Sequence, residues 1–236
     1  MSVRARQQLV LIPGLLCDRL LWQPQAEALA DIAEAWIADH TRSDTMAAIA
    51  ADVLRDVPFG QFAVAGLSMG GYVALEILRQ APHRVLKLAL LDTSARADTP
   101  EQSQQRLALI SLAGRGRFQG VTKALLPMFL HASRLDDQEL VATVKEMAKN
   151  TGRETFIREE RAILSRADSL PFLGAIACPV LVRCGRQDAL TPLERHEEIV
   201  RAIPRSTLEI IENCGHLSTL ERPAEVSAAL RRWLSS

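Results

Sequence analysis

The chain has 236 residues, with 28 basic side chains against 28 acidic ones and a formal net charge of +0. That balance gives no electrostatic case for nucleic acid or an acidic membrane surface as partner. A hydrophobic fraction of 48% and a charged fraction of 24% belong to a folded globular chain rather than a disordered one, and the length suits one domain, or one domain carrying an insertion.

Short apolar runs alternate with helix-like segments along the chain. The first run is 9–12, closed by Pro13-Gly14, and helical spacing follows over 21–30. A second run at 35–38 ends in Asp39-His40. The stretch 44–56 places Met46, Ile49, Val53 and Leu54 on one helical face. Further runs lie at 62–65, stopping at Gly66, and at 85–91, ending in Asp92, with a helix between them over 72–80. Residues 99–169 then lose the strand runs and carry three or four helical patterns punctuated by glycine and Pro127. The alternation resumes with a run at 179–182, a helix near 193–202, a run at 207–211 and a closing helix from Pro223.

Strands that are apolar throughout and separated by helices imply an α/β protein with a mainly parallel sheet, here of about six strands, covered on both faces. Residues 1–98 and 170–236 form the core domain in this reading, and 99–169 are a helical insertion between the fourth and fifth strands.

The four cysteines, at 17, 178, 184 and 214, make no C-x-x-C pair, which points to packing roles in a reducing compartment. The run 9–16 follows Arg4 and Arg6 like a leader, but Pro13-Gly14 breaks it and Asp18-Arg19 stand where a cleavage site would. No stretch approaches the roughly 18 apolar residues of a membrane span. The expectation is a soluble cytoplasmic protein with no membrane partner. Neither a metal cluster, a dinucleotide fingerprint nor a phosphate loop is visible, so no metal or cofactor is expected.

Gly66-Leu67-Ser68-Met69-Gly70, followed by Gly71, fits G-x-S-x-G, with a strand run before it and a helix pattern after it, as a nucleophile elbow requires. The glycines allow the tight turn, and the turn sets Ser68 at the positive end of a helix. A serine hydroxyl needs a base. Among the five histidines, His216 follows the last strand run and so emerges at the carboxyl edge of the sheet, as Ser68 does. His83 closes a helix, His196 shares its helix with three glutamates and reads as part of a solvated face, His40 precedes the serine, and His131 lies in the insertion. The base needs an acid. Asp92 and Asp188 both end strands after Ser68, and chain order does not separate them. The glycine-to-proline loop of 185–192 favours Asp188.

An acyl-transfer reaction also needs backbone donors for the oxyanion. These are the Met69 amide and one from the loop 13–16, Leu15 first and Leu16 as the alternative. Leu16, Trp22 and Phe129 are the expected pocket residues. Leu107, Ile110, Leu125, Met128, Phe129 and Phe156 are read mainly as packing the insertion onto the core, and Arg158 and Arg161, set among Glu159 and Glu160, as a solvated charged face.

With these residues in place the chain resembles the α/β-hydrolase-fold enzymes over nearly its whole length, and within them it is similar to small bacterial carboxylesterases and 3-oxoadipate enol-lactonase-like hydrolases. The resemblance rests on Gly66 through Gly71, Gly185-Arg186-Gln187-Asp188 through Pro192, and Gly215-His216-Leu217 through Pro223. It implies Ser68 as nucleophile, Asp188 as acid, His216 as base, Leu15 and Met69 as oxyanion donors, and 99–169 as a helical lid. The implied activity is hydrolysis of small carboxylic esters, lactones or thioesters through an acyl-enzyme. The alternative is a triad-bearing carbon–carbon hydrolase, lyase or acyltransferase; in either case the partner is a small-molecule acyl substrate. Two departures stand out: Pro13-Gly14 replaces the usual His-Gly after the first central strand, and the two leading antiparallel strands have no counterpart, so a shortened sheet is expected.

Overall fold

The computed structural model describes residues 6–236; Arg4 lies outside them. Its six strands are β1 (Gln7–Ile12), β2 (Ala33–Ile37), β3 (Phe62–Leu67), β4 (Val85–Leu91), β5 (Val180–Gly185) and β6 (Ser206–Ile211). They form one sheet in the order β2-β1-β3-β4-β5-β6, every neighbouring pair parallel. No antiparallel strand occurs among the described residues, so the shortened parallel sheet expected from the sequence is what forms.

The helices are α1 (Gln23–Ala28), α2 (Met46–Asp56), α3 (Met69–Gln80), α4 (Pro100–Gly114), α5 (Leu126–Phe129), α6 (Gln138–Leu164), α7 (Leu170–Leu173), α8 (Leu193–Ala202), α9 (Ser218–Glu221) and α10 (Pro223–Ser235). The 21–30 pattern resolves into a single 3-10 turn at Arg19–Leu21 and the short α1, because Pro24 opens a new first turn. Helix α6 is two helices joined at Gly152, whose φ of 73° breaks the ladder.

Both sheet faces carry an apolar layer. Leu9, Leu11, Ala65 and Leu91 face one cluster, while Val10, Ile12, Val64 and Leu90 face the other. Alternating sides within one strand explain the unbroken apolar runs: each strand is covered twice. Strand β5 runs past the apolar stretch to include buried Arg183, which pairs with Glu209 opposite it on β6. Strands β2 and β3 lie on opposite sides of β1, so the chain reverses its direction of growth between β1 and β3. The carboxyl ends of such neighbours leave a crevice.

Candidate active site

Ser68 sits in the turn between β3 and α3 with φ 56° and ψ −118°, a conformation costly for a residue with a side chain and found where the surroundings over-determine it. The surroundings are close-packed backbone. A Cβ on Gly70 would lie 2.1 Å from the Ile12 carbonyl oxygen, and one on Gly66 would lie 2.1 Å from that of Gly70. Only residues without side chains let α3 start so near β1. Thr93 then donates its hydroxyl to the Ser68 carbonyl at 2.7 Å.

The three candidate side chains meet. His216 Nε2 stands 2.8 Å from Ser68 Oγ, and His216 Nδ1 lies 2.9 and 2.8 Å from the two oxygens of Asp188. The Asp188 carboxylate is oriented by its own loop: it accepts the Leu190 and Thr191 amides, each at 2.9 Å, and the Thr191 hydroxyl at 2.6 Å. The His216 backbone is pinned from the inserted helical segment, since the Phe129 carbonyl accepts the His216 and Leu217 amides at 3.0 and 3.1 Å. Glu221 on α9 accepts the Gly215 and His131 amides at 2.9 and 2.8 Å, tying the same two segments together.

Burial disfavours charge on both groups, yet Asp188 is held below the usual carboxylate range by His216 and its hydrogen-bond donors. Burial likewise opposes the His216 imidazolium, but the Asp188 charge and hydrogen bond outweigh it and lift His216 above the ordinary histidine value. Asp92, the other strand-end carboxylate, does not reach the histidine. It accepts the Gly185 amide at 2.9 Å and the Ser218 hydroxyl, and burial together with the Asp188 charge pushes it up to about 8.

The loop after β1 lies against Ser68, where a Cβ on Gly14 would be 3.2 Å from the Ser68 Cβ. The Leu16 amide is already used, donating to Glu159 Oε2 at 3.1 Å. Neither the Leu15 nor the Met69 amide has a hydrogen-bond acceptor among the described residues.

A cavity of about 550 Å³ opens over Ser68 and His216. Leu15, Leu16 and Phe129 line it, with Phe118 and Phe156 from the inserted segment. Two arginines and two carboxylates of its polar wall pair with one another. Arg106 bonds Asp98 at 2.6 Å and Glu160 at 2.7 Å, while Arg166 bonds Asp98 at 2.7 Å. Trp22, an expected pocket residue, is fully buried in the core beneath the loop and does not line the cavity.

Three further expectations are corrected. His196 is buried, and its Nε2 accepts the Thr93 amide at 2.9 Å, because position 196 lies three residues from buried Ile199 on the inner face of α8. Glu159 and Glu160 are buried rather than solvated; with Phe156 and Ile163 they occupy the helical spacing that faces inward, a signal overridden by their residue type. Leu107, Leu125 and Met128 do not pack the insertion onto the core but are exposed, the last two on the cavity rim. His131 caps its own turn through Ser133, and His83 is exposed.

The sequence profile of the alpha/beta hydrolase fold family matches residues 8–223, and the chain belongs to that family. It is 30% identical over 184 residues to a pimeloyl-[acyl-carrier protein] methyl ester esterase of Nitrosomonas europaea, covering 74% of this chain and 71% of that one. It is 27% identical to a putative carbamate hydrolase RutD of a Caulobacter species, covering 98% and 91%. Among solved structures it is similar to a thermophilic esterase from Thermogutta terrifontis, with a TM-score of 0.87, 30% identity, and coverage of 97% and 89%. Family and esterase-type relatives together make the chain a hydrolase. No metal-binding cluster of histidine, cysteine and carboxylates occurs among the described residues, and no helix there is long and apolar enough to cross a membrane.

Proposed function

We propose that the chain is a serine hydrolase of small carboxylic esters, lactones or thioesters, working through an acyl-enzyme on Ser68. The observation that carries this reading is the unbroken line from Ser68 Oγ to His216 and on to Asp188, with contacts of 2.8 Å at each end. Such a line lets the imidazole take the serine proton while the carboxylate stabilises the resulting cation.

Ser68 Oγ attacks the acyl carbon as His216 Nε2 accepts its proton. The Leu15 and Met69 amides receive the developing oxyanion, each contributing roughly 2.7–4 kcal/mol in the transition state. His216 returns the proton to the leaving oxygen or sulfur, and the acyl group stays on Ser68. Water then enters, His216 removes its proton, and collapse of the second tetrahedral intermediate frees the carboxylic acid and Ser68. Segment 99–169 acts as the lid over a core of 1–98 and 170–236, with Phe129 and Phe156 supplying apolar wall for the acyl chain.

The test is covalent. A fluorophosphonate should label Ser68 alone, identified by peptide mapping, and Ser68→Ala should lose both labelling and hydrolysis of p-nitrophenyl acetate while keeping its circular dichroism spectrum. A folded Ser68→Ala that hydrolyses the ester at the native rate would end the proposal.

A further inference from the structure

Leu16 holds an unusual backbone geometry. Its φ is 59° although it carries a branched side chain, and residues other than glycine stay there only where something holds them. The holder is Glu159, on the second half of α6 and 143 positions away, which accepts the Leu16 amide at 3.1 Å. Its other oxygen, Oε1, is 2.9 Å from His40 Nε2, an ion pair when the imidazole is protonated. Glu159 is 0% exposed and His40 2% exposed. A carboxylate sealed from water needs such partners, and here the partners come from the loops after two different strands.

We propose that Glu159 is a positioning residue for the oxyanion loop: by holding the Leu16 amide it fixes the turn that presents the Leu15 amide beside Ser68, and His40 fixes Glu159. The inference rests on Leu15 serving as oxyanion donor in the reading above. The mechanical link is short. The turn of 14–17 is closed by the Cys17 amide on the Gly14 carbonyl at 3.1 Å, so anchoring the peptide between Leu15 and Leu16 also sets the plane before it. A donor that must meet a charge existing only in the transition state acts through this preset direction. Glu159 touches no reacting atom, and its effect passes through the loop. Because the anchor lies on α6, the inserted segment and the oxyanion loop are set as one unit.

The experiment compares Glu159→Ala and Glu159→Gln in hydrolysis of p-nitrophenyl acetate, with fluorophosphonate labelling of the unmutated protein as the separate check on Ser68. Glutamine keeps an acceptor for the Leu16 amide; alanine does not. The expected result is a kcat loss of about 10- to 100-fold in Glu159→Ala at nearly unchanged KM, with Glu159→Gln restoring most of it to within about five-fold of the native kcat but below it. Affinity for a trifluoromethyl ketone, which forms the oxyanion, should fall in parallel with kcat. A folded Glu159→Ala with native kcat, or one whose loss lies in KM alone, overturns the proposal. If the alanine variant does not fold, the isosteric Glu159→Gln decides: native kcat and native ketone affinity in it overturn the proposal, and a parallel fall in both supports it. Unmutated protein that resists labelling overturns the Ser68 reading and this one with it; labelled protein with unaffected variants overturns this one alone.

Discussion

Asp188 keeps its charge at the expense of Asp92. Both end neighbouring strands of one buried region, yet His216 and the 190–191 donors hold Asp188 low while burial and the Asp188 charge drive Asp92 up to about 8. One carboxylate is thus ionised at neutral pH beside a second that is mostly protonated, which is how two acids share a site that would not tolerate two charges. The protonated one still accepts the Gly185 amide and the Ser218 hydroxyl, joining the loops that carry Asp188 and His216.

Replacing Asp188 by asparagine should lower kcat/KM for p-nitrophenyl acetate by about 10⁴-fold, the scale seen when the histidine's partner no longer holds it in the working tautomer. The pH profile gives a sharper test. As the proposed base His216 acts when neutral, and Asp188 raises its pKa against the opposing effect of burial, so native activity should rise with pH through a midpoint above about 6.5. In Asp188→Asn that midpoint should move to lower pH. A midpoint that stays put would remove Asp188 from the pair.

Asp92→Ala should destabilise the fold while leaving Ser68, His216 and Asp188 in place. It strands the Gly185 amide and the Ser218 hydroxyl, both buried, at a cost of about 2–4 kcal/mol. Asp92→Asn retains an acceptor and should cost less. Urea unfolding of the two variants would show the difference, and equal loss in both would mean that the acceptor for these two groups is not what the fold loses.

Gly70→Ala should be disruptive and Gly60→Ala harmless. The first would place a carbon 2.1 Å from the Ile12 carbonyl, whereas nothing lies within 4 Å of the second. A loss of at least about 1–3 kcal/mol is expected at Gly70 and less than about 0.5 kcal/mol at Gly60, read from the melting midpoint. Equal melting of the two variants would mean that α3 does not start against β1.

His196 should make the protein acid-sensitive. Burial pushes its pKa down to about 4. The unfolded chain therefore binds a proton there at higher pH than the folded one does, and stability from this group is complete above about 6.5 and lost as pH falls toward 4, by about 3 kcal/mol. His196→Gln keeps an acceptor for the Thr93 amide without titrating, so its stability should fall less over the same window. Parallel stability curves for the two proteins would show that His196 does not titrate on unfolding.

The strands were legible in the sequence because a parallel sheet covered on both faces leaves few polar interruptions, and β4 matches its apolar run end to end. The meeting of Ser68, His216 and Asp188 was legible because each sits just past a strand, where residue type and chain position agree. What misled was chemistry that contradicts placement. Glu159, Glu160 and His196 carry polar groups on buried helical faces, and their spacing spoke for burial while their types spoke against it. Trp22 shows the reverse: its place beside the loop after β1 suggests a pocket wall, but its bulk fills the core under that loop. The contacts of Phe129 with His216, made by a backbone carbonyl, leave no trace in side-chain identity.

The separation of Ser68 from His216, 148 positions along the chain, also bears on biosynthesis. On the proposed mechanism a nascent polypeptide carries Ser68 long before His216 has been translated, so the serine stays unactivated until β6 and the loop after it have left the ribosome and joined the sheet. Capture of a fluorophosphonate would then report completion of that last pairing, and a time course of capture during refolding would clock the closing step of assembly.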